Sequence, residues 1–100
     1  MSKDNSFDFR SKFEEWDLLK DSLVPLFKEN DDSRKIIMEH GIQLLKDIIK
    51  VADGVNLINF TERFDFIQKN SSNYTAYRQL EELFKEAKKK IAVKRIMNDK

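Results

Sequence analysis

The chain has 100 residues, 40% of them hydrophobic and 37% charged, with two glycines, one proline, no cysteine and a formal net charge of +1. That length fits a single domain over residues 1–100, and the mixture is too apolar for a disordered chain and too poor in Gly and Pro for an all-β fold. Without cysteine, disulfides, thiolate zinc sites and cysteine nucleophiles are excluded.

In chain order, the spacing predicts a first helix from Asp8–Ser11 to about Lys28. Phe9, Phe13, Trp16, Leu19, Leu23 and Phe27 recur every three or four residues and so share one stripe. Ser11 and Glu14 have capping-box spacing, which would start the regular helix at Ser11 and leave Phe7 and Phe9 on an arm, with residues 1–7 flexible. Pro25 is expected to kink this helix or end it near Val24. Asn30-Asp31-Asp32-Ser33 is a turn whose acids suit the start of the next helix.

A central second helix covers about 33–52. Ile37, Met38, Gly41, Ile42, Leu44, Leu45, Ile48, Ile49, Val51 and Ala52 fill half its circumference, wide enough to face two or more neighbours. Asp53-Gly54 ends it, Gly54 being free to turn left-handed. A short third helix is predicted over about 57–68, with Asn59 and Glu62 at capping spacing and Phe60, Phe64 and Ile67 on one face. After a loop over 69–73 comes a fourth helix to at least Ile91, striped by Tyr77, Leu80, Leu83, Phe84, Ala87 and Ile91. Glu81–Lys85, Glu86–Lys90 and Arg78–Glu82 have the spacing of i,i+4 ion pairs. Past Ile91 the stripe breaks: Lys94 falls on it while Val93, Ile96 and Met97 turn away, so residues 92–100 either fray or serve something outside the core. The expected fold is all-α, a compact four-helix domain arranged as an antiparallel bundle or an irregular array.

No apolar run approaches the roughly 18 residues of a membrane span, and the start, Met1 to Ser6, is too polar for a signal peptide. Asn59-Phe60-Thr61, Asn70-Ser71-Ser72 and Asn73-Tyr74-Thr75 match the glycosylation pattern, but without an export signal they read as chance and a cytoplasmic protein is expected. His40 is the sole histidine and has no partners spaced for a metal or for base catalysis. Asp31-Asp32 lacks the alternating ligands of a calcium loop, and two isolated glycines build neither a phosphate cradle nor a nucleophile elbow. The expectation is no enzyme, no metal and no cofactor.

Two features remain. Phe7, Leu18 and Phe66 are apolar residues off the core stripes, marking either a second contact surface or a folded-back arm in which Phe7 covers Phe66 or a neighbouring gap. Charge is also lopsided: Lys85, Lys88, Lys89, Lys90, Lys94, Arg95 and Lys100 face only Glu86 and Asp99 in residues 85–100, while residues 1–84 are net acidic. Cations in the last turns complement the helix dipole, which alone accounts for some of them. The functional expectation is non-enzymatic protein binding, as an adaptor, inhibitor, antitoxin-like or immunity-type domain. Its contact surface would be Lys89, Lys90, Val93, Lys94, Ile96 and Met97, joined by Phe66, and its partner acidic. One alternative is a nucleic-acid-binding module that sets Lys85, Lys88, Lys89, Lys94 and Arg95 against phosphates, although few stacking aromatics lie among them. The other is a homo-oligomer that buries the off-pattern residues between its own subunits.

Overall fold

Asp8 starts the fold: its carboxylate accepts a hydrogen bond from the Ser11 amide at 3.3 Å and caps α1 (Phe9–Lys28). A computed structural model describes residues 8–52 and 55–98, with side chains as far as Val93. The helix therefore begins ahead of Ser11, which is capped and does not cap, and Phe9 packs against the core instead of riding on an arm. The arm itself, with Phe7, lies outside the described residues, as do Asp53 and Gly54.

Pro25 does not end α1, which runs on to Lys28. Pro25 and Asp21 are both exposed, so water can take the Asp21 carbonyl that a proline nitrogen leaves without a donor. The helix ends at Asn30, which adopts the left-handed conformation (φ 55°). The Asn30 amide donates to the Phe27 carbonyl at 3.2 Å and the Asp31 amide to the Leu26 carbonyl at 2.8 Å, a Schellman motif with asparagine in place of glycine. Asp31 then turns its carboxylate to the Ser33 amide at 2.8 Å, at the start of α2 (Ser33–Val51).

After α2 the chain drops Leu57 into the core before α3 (Phe60–Lys69) begins, so the third helix starts later than its apolar residues predict. Asn59 does not cap α3 through its side chain; it is left-handed (φ 53°). A tight turn leads to α4 (Tyr74–Asn98), which stays helical past the point where its stripe breaks. No strand occurs among the described residues, and no helix among them is long and apolar enough to cross a membrane.

Met38, Leu45 and Ile48 of α2, Leu80, Leu83 and Ala87 of α4, Leu23 of α1 and Ile67 of α3 are fully buried together. α2 touches the other three helices, as its wide apolar face requires, and so does α4. Val51, expected on that face, is exposed at the end of α2. The four helices form a small bundle in which α1 and α4 run antiparallel, Phe13 lying beside Phe84 and Phe27 beside Tyr74.

The aromatic content is concentrated along that α1–α4 seam. Rings follow one another from Phe13 to Phe84, Trp16, Tyr77, Phe27 and Tyr74, with successive centroids 4.3–6.3 Å apart. Trp16 and Phe84 are stacked at 4.3 Å and 9°, a contact worth on the order of 1 kcal/mol beyond the area it buries. Cations stand over two of these rings, Lys88 over Phe13 at 5.9 Å and Arg34 over Phe27 at 5.8 Å.

Two acids of α4 serve this packing instead of their own helix. Glu81 takes Lys20 of α1 at 3.2 Å, and Glu86 takes Arg63 of α3 in a two-pronged bridge at 3.0 and 2.9 Å. Interhelical pairing thus takes the place of the i,i+4 pairs with Lys85 and Lys90 that the spacing predicts, since the part-buried Lys20 and the two-pronged Arg63 are better held than the exposed Lys85 and Lys90.

Candidate functional site

The helical period puts Lys85 and Lys88 on the flank of α4 that faces α1, Lys89 outward, and Lys90 toward α3. All four lysines are exposed, as is Val93 at 51%. No described carboxylate pairs with Lys85, Lys89 or Lys90. The helix carries Lys94, Arg95, Ile96 and Met97 onward, but their side chains lie outside the described residues. Phe66 is 38% exposed and is not brought to this end. α3 runs antiparallel to α4, and from the Arg63–Glu86 bridge Phe66 lies one turn toward the 70–73 turn, whereas Val93 lies the other way. Leu18, 68% exposed, faces away from the α1 stripe as its position predicts.

Beside the basic end, a groove follows the seam between α1 and α4. Its outer part, about 450 Å³, has a floor of Phe9, Phe13, Ile91 and Ala92 and a rim of Arg10, Glu14, Asp17 and Lys88. Phe13, Asp17 and Lys88 also line its inner part, about 200 Å³, which continues to Trp16, Lys20, Glu81, Phe84 and Lys85. Of the four lysines, Lys85 and Lys88 thus line the groove between α1 and α4, whereas Lys89 and Lys90 lie on other sides of α4.

Charges inside the groove are ordered. Burial alone would lower the Lys20 ammonium, but the hydrogen bond and charge of Glu81, with help from Asp17, outweigh it and raise Lys20 above its ordinary value. Burial, then the nearby Glu81 carboxylate, raise the Tyr77 phenol as well. Trp16 is 2% exposed, and its indole Nε1 has no hydrogen-bond partner among the described residues.

A second hollow, about 650 Å³, lies between α2 and α3 over the stacked rings of Phe60 and Phe64. Gln43 and Asp47 on its rim are hydrogen-bonded to each other at 3.0 Å, so part of its polar edge is already satisfied. His40 meets Glu15 at 2.8 Å and ties α2 to α1. Among the described residues no three of His, Asp and Glu gather as a metal site.

Sequence patterning locates the basic end but not the groove, because Phe9, Phe13, Lys20 and Glu81 read as ordinary core or surface positions until α1 and α4 are known to be neighbours. Compared with known proteins, residues 7–99 match a family model described as YpoC-like protein. No curated protein and no solved structure matches the chain.

Proposed function

The chain belongs to the YpoC-like protein family; from that premise, and from the surface, we propose that it is a non-enzymatic protein-binding domain of the cytoplasm. It docks an acidic segment of a partner along the α1–α4 groove and the basic end of α4. One observation carries this reading: the apolar floor of Phe9, Phe13, Ile91 and Ala92 opens beside Arg10 and Lys88, cations that no described carboxylate neutralises. An apolar strip flanked by unpaired cations complements an amphipathic acidic segment, the floor supplying burial and the lysines steering and register.

The test is affinity capture from the native host with the wild-type chain and with a Lys88→Glu, Lys89→Glu, Lys90→Glu variant, followed by binding of the purified partner. The expected outcome is an acidic protein that binds directly, more weakly as salt rises, and not to the variant. Equal binding by both chains overturns the site. A nucleic-acid-binding role uses the same Lys85, Lys88 and Lys89; salt-sensitive binding of duplex DNA, without binding of an acidic protein, would replace the proposal with that reading. A symmetric oligomer that buries the groove would show itself in size exclusion with light scattering.

A further inference from the structure

Along the α1–α4 groove the two walls carry opposite charge at matching levels. Lys20 of α1 bridges Glu81 of α4 at 3.2 Å, and because the helices run antiparallel, each turn back along α1 meets a turn onward along α4. Asp17 therefore stands level with Lys85, and Glu14 with Lys88, on either side of the apolar floor. Neither level is bridged. Asp17 turns to Lys20 at 3.4 Å and Lys88 stands over the Phe13 ring at 5.9 Å. No described group of opposite charge pairs with Glu14 or Lys85.

The rims also have a period. Arg10, Glu14 and Asp17 step by four and three along α1, and Lys85, Lys88 and Ala92 by three and four along α4. Each rim thus keeps its residues on one flank of its helix over about one heptad, a length of roughly 10 Å. A segment that fits must present three things side by side: an apolar stripe for the floor, anions toward α4 and a cation toward α1. An extended strand cannot, since its side chains alternate between two opposite faces, one for the floor and one for water. A helix can, because its apolar stripe has a flank on each side, as in the charged positions that border a coiled-coil seam.

We infer that the segment docked in this groove is an amphipathic helix with sorted flanks, acidic toward Lys85 and Lys88 and basic toward Glu14 and Asp17. This rests on the docking reading above and names the conformation and charge pattern of what is docked. A uniformly acidic segment would meet the same lysines but would also set like charge against Glu14, which costs affinity and discriminates against that class of partner. Arg10 reverses the sign at the outer end of the α1 rim, which confines the basic flank to the turn facing Glu14 and Asp17.

The probes are three capped helical peptides about three heptads long, with the same apolar stripe, each used where it is monomeric. The first has Glu on one flank and Lys on the other; the second has Glu on both; the third has the composition of the first with Glu and Lys mixed on each flank. Amide shifts of the whole nitrogen-15-labelled chain read both site and affinity. The sorted peptide is expected to bind about tenfold tighter than either control, moving the amides of Phe9, Phe13, Lys88 and Ala92. Glu14→Lys, at an exposed position, should reverse the order of the first two, so that the all-Glu peptide binds better than the sorted one. If either control binds the wild-type groove as tightly as the sorted peptide, or if Glu14→Lys leaves the order unchanged, the sorted helix is overturned and the docking reading survives. If none of the three moves the groove amides, both fall.

Discussion

Gly41 sets the backbone of α2 against Trp16 of the first helix, and what it lacks matters more than what it has. Alanine in a helix interior is ordinarily about 1 kcal/mol better than glycine. Here the added methyl would stand 2.6 Å from the Cζ3 of a tryptophan that is buried and stacked on Phe84. A rigid ring cannot step aside as a flexible chain end does, so overpacking wins. Gly41→Ala is expected to lower stability by a net ~1–2 kcal/mol, read as a lower thermal midpoint by circular dichroism. An unchanged or raised midpoint would show that Trp16 has room to move. Lys20 and Tyr77 make a second prediction at this scale. Both hold their proton more tightly when folded, their values lying above the ordinary 10.5 and 10.0. Their contribution is fully present below those ordinary values and is lost as pH rises through the raised ones. Urea midpoints should therefore fall above about pH 10, and Glu81→Gln, which removes the carboxylate acting on both groups, should flatten that fall. Parallel curves for the two chains would remove Glu81 from the cause.

At the scale of elements, α3 is the shortest helix, and the Arg63–Glu86 bridge fastens it to α4. Arg63 also donates to the Ile58 carbonyl at 3.1 Å, which anchors the segment leading into α3. A double-mutant cycle on Arg63→Ala and Glu86→Ala should give a coupling of about 1 kcal/mol, as for a two-pronged, half-exposed pair. Arg63→Ala should cost more alone than Glu86→Ala; equal costs would mean the Ile58 contact contributes nothing. The helices were legible because burial imposes its own period: the residues spaced three and four apart on α1, α2 and α4 are those buried or packed against the core. Their ends were less so. Asp8 and Ser11 are both good caps, and only the backbone decides between them. Asn59 looked like a cap by spacing yet sits left-handed. The candidate site was half legible for the same reason: Lys88 and Lys89 declare themselves in one segment, whereas the groove needs Phe9 and Ala92, far apart in sequence, to be placed side by side.

Across the whole molecule, charge is uneven: residues 85–100 are net basic and residues 1–84 net acidic, and the basic stretch lies on α4, the longest element. Attraction between exposed charges is screened beyond about 10 Å at 0.1 M salt. Binding of an acidic peptide should thus weaken steeply from about 0.05 to 0.5 M salt, chiefly through a slower association rate. A salt-independent affinity would shift the emphasis to the apolar floor. The aromatic seam has a consequence for how the protein is made. It joins the first helix to the last, Lys20 and Glu81 being 61 residues apart. As the chain leaves the ribosome, α1 and α2 can pair at once, but Phe13 and Trp16 must wait for α4 to emerge before they meet Phe84. Until α4 has emerged the nascent chain therefore carries an uncovered aromatic face, and the seam closes only then.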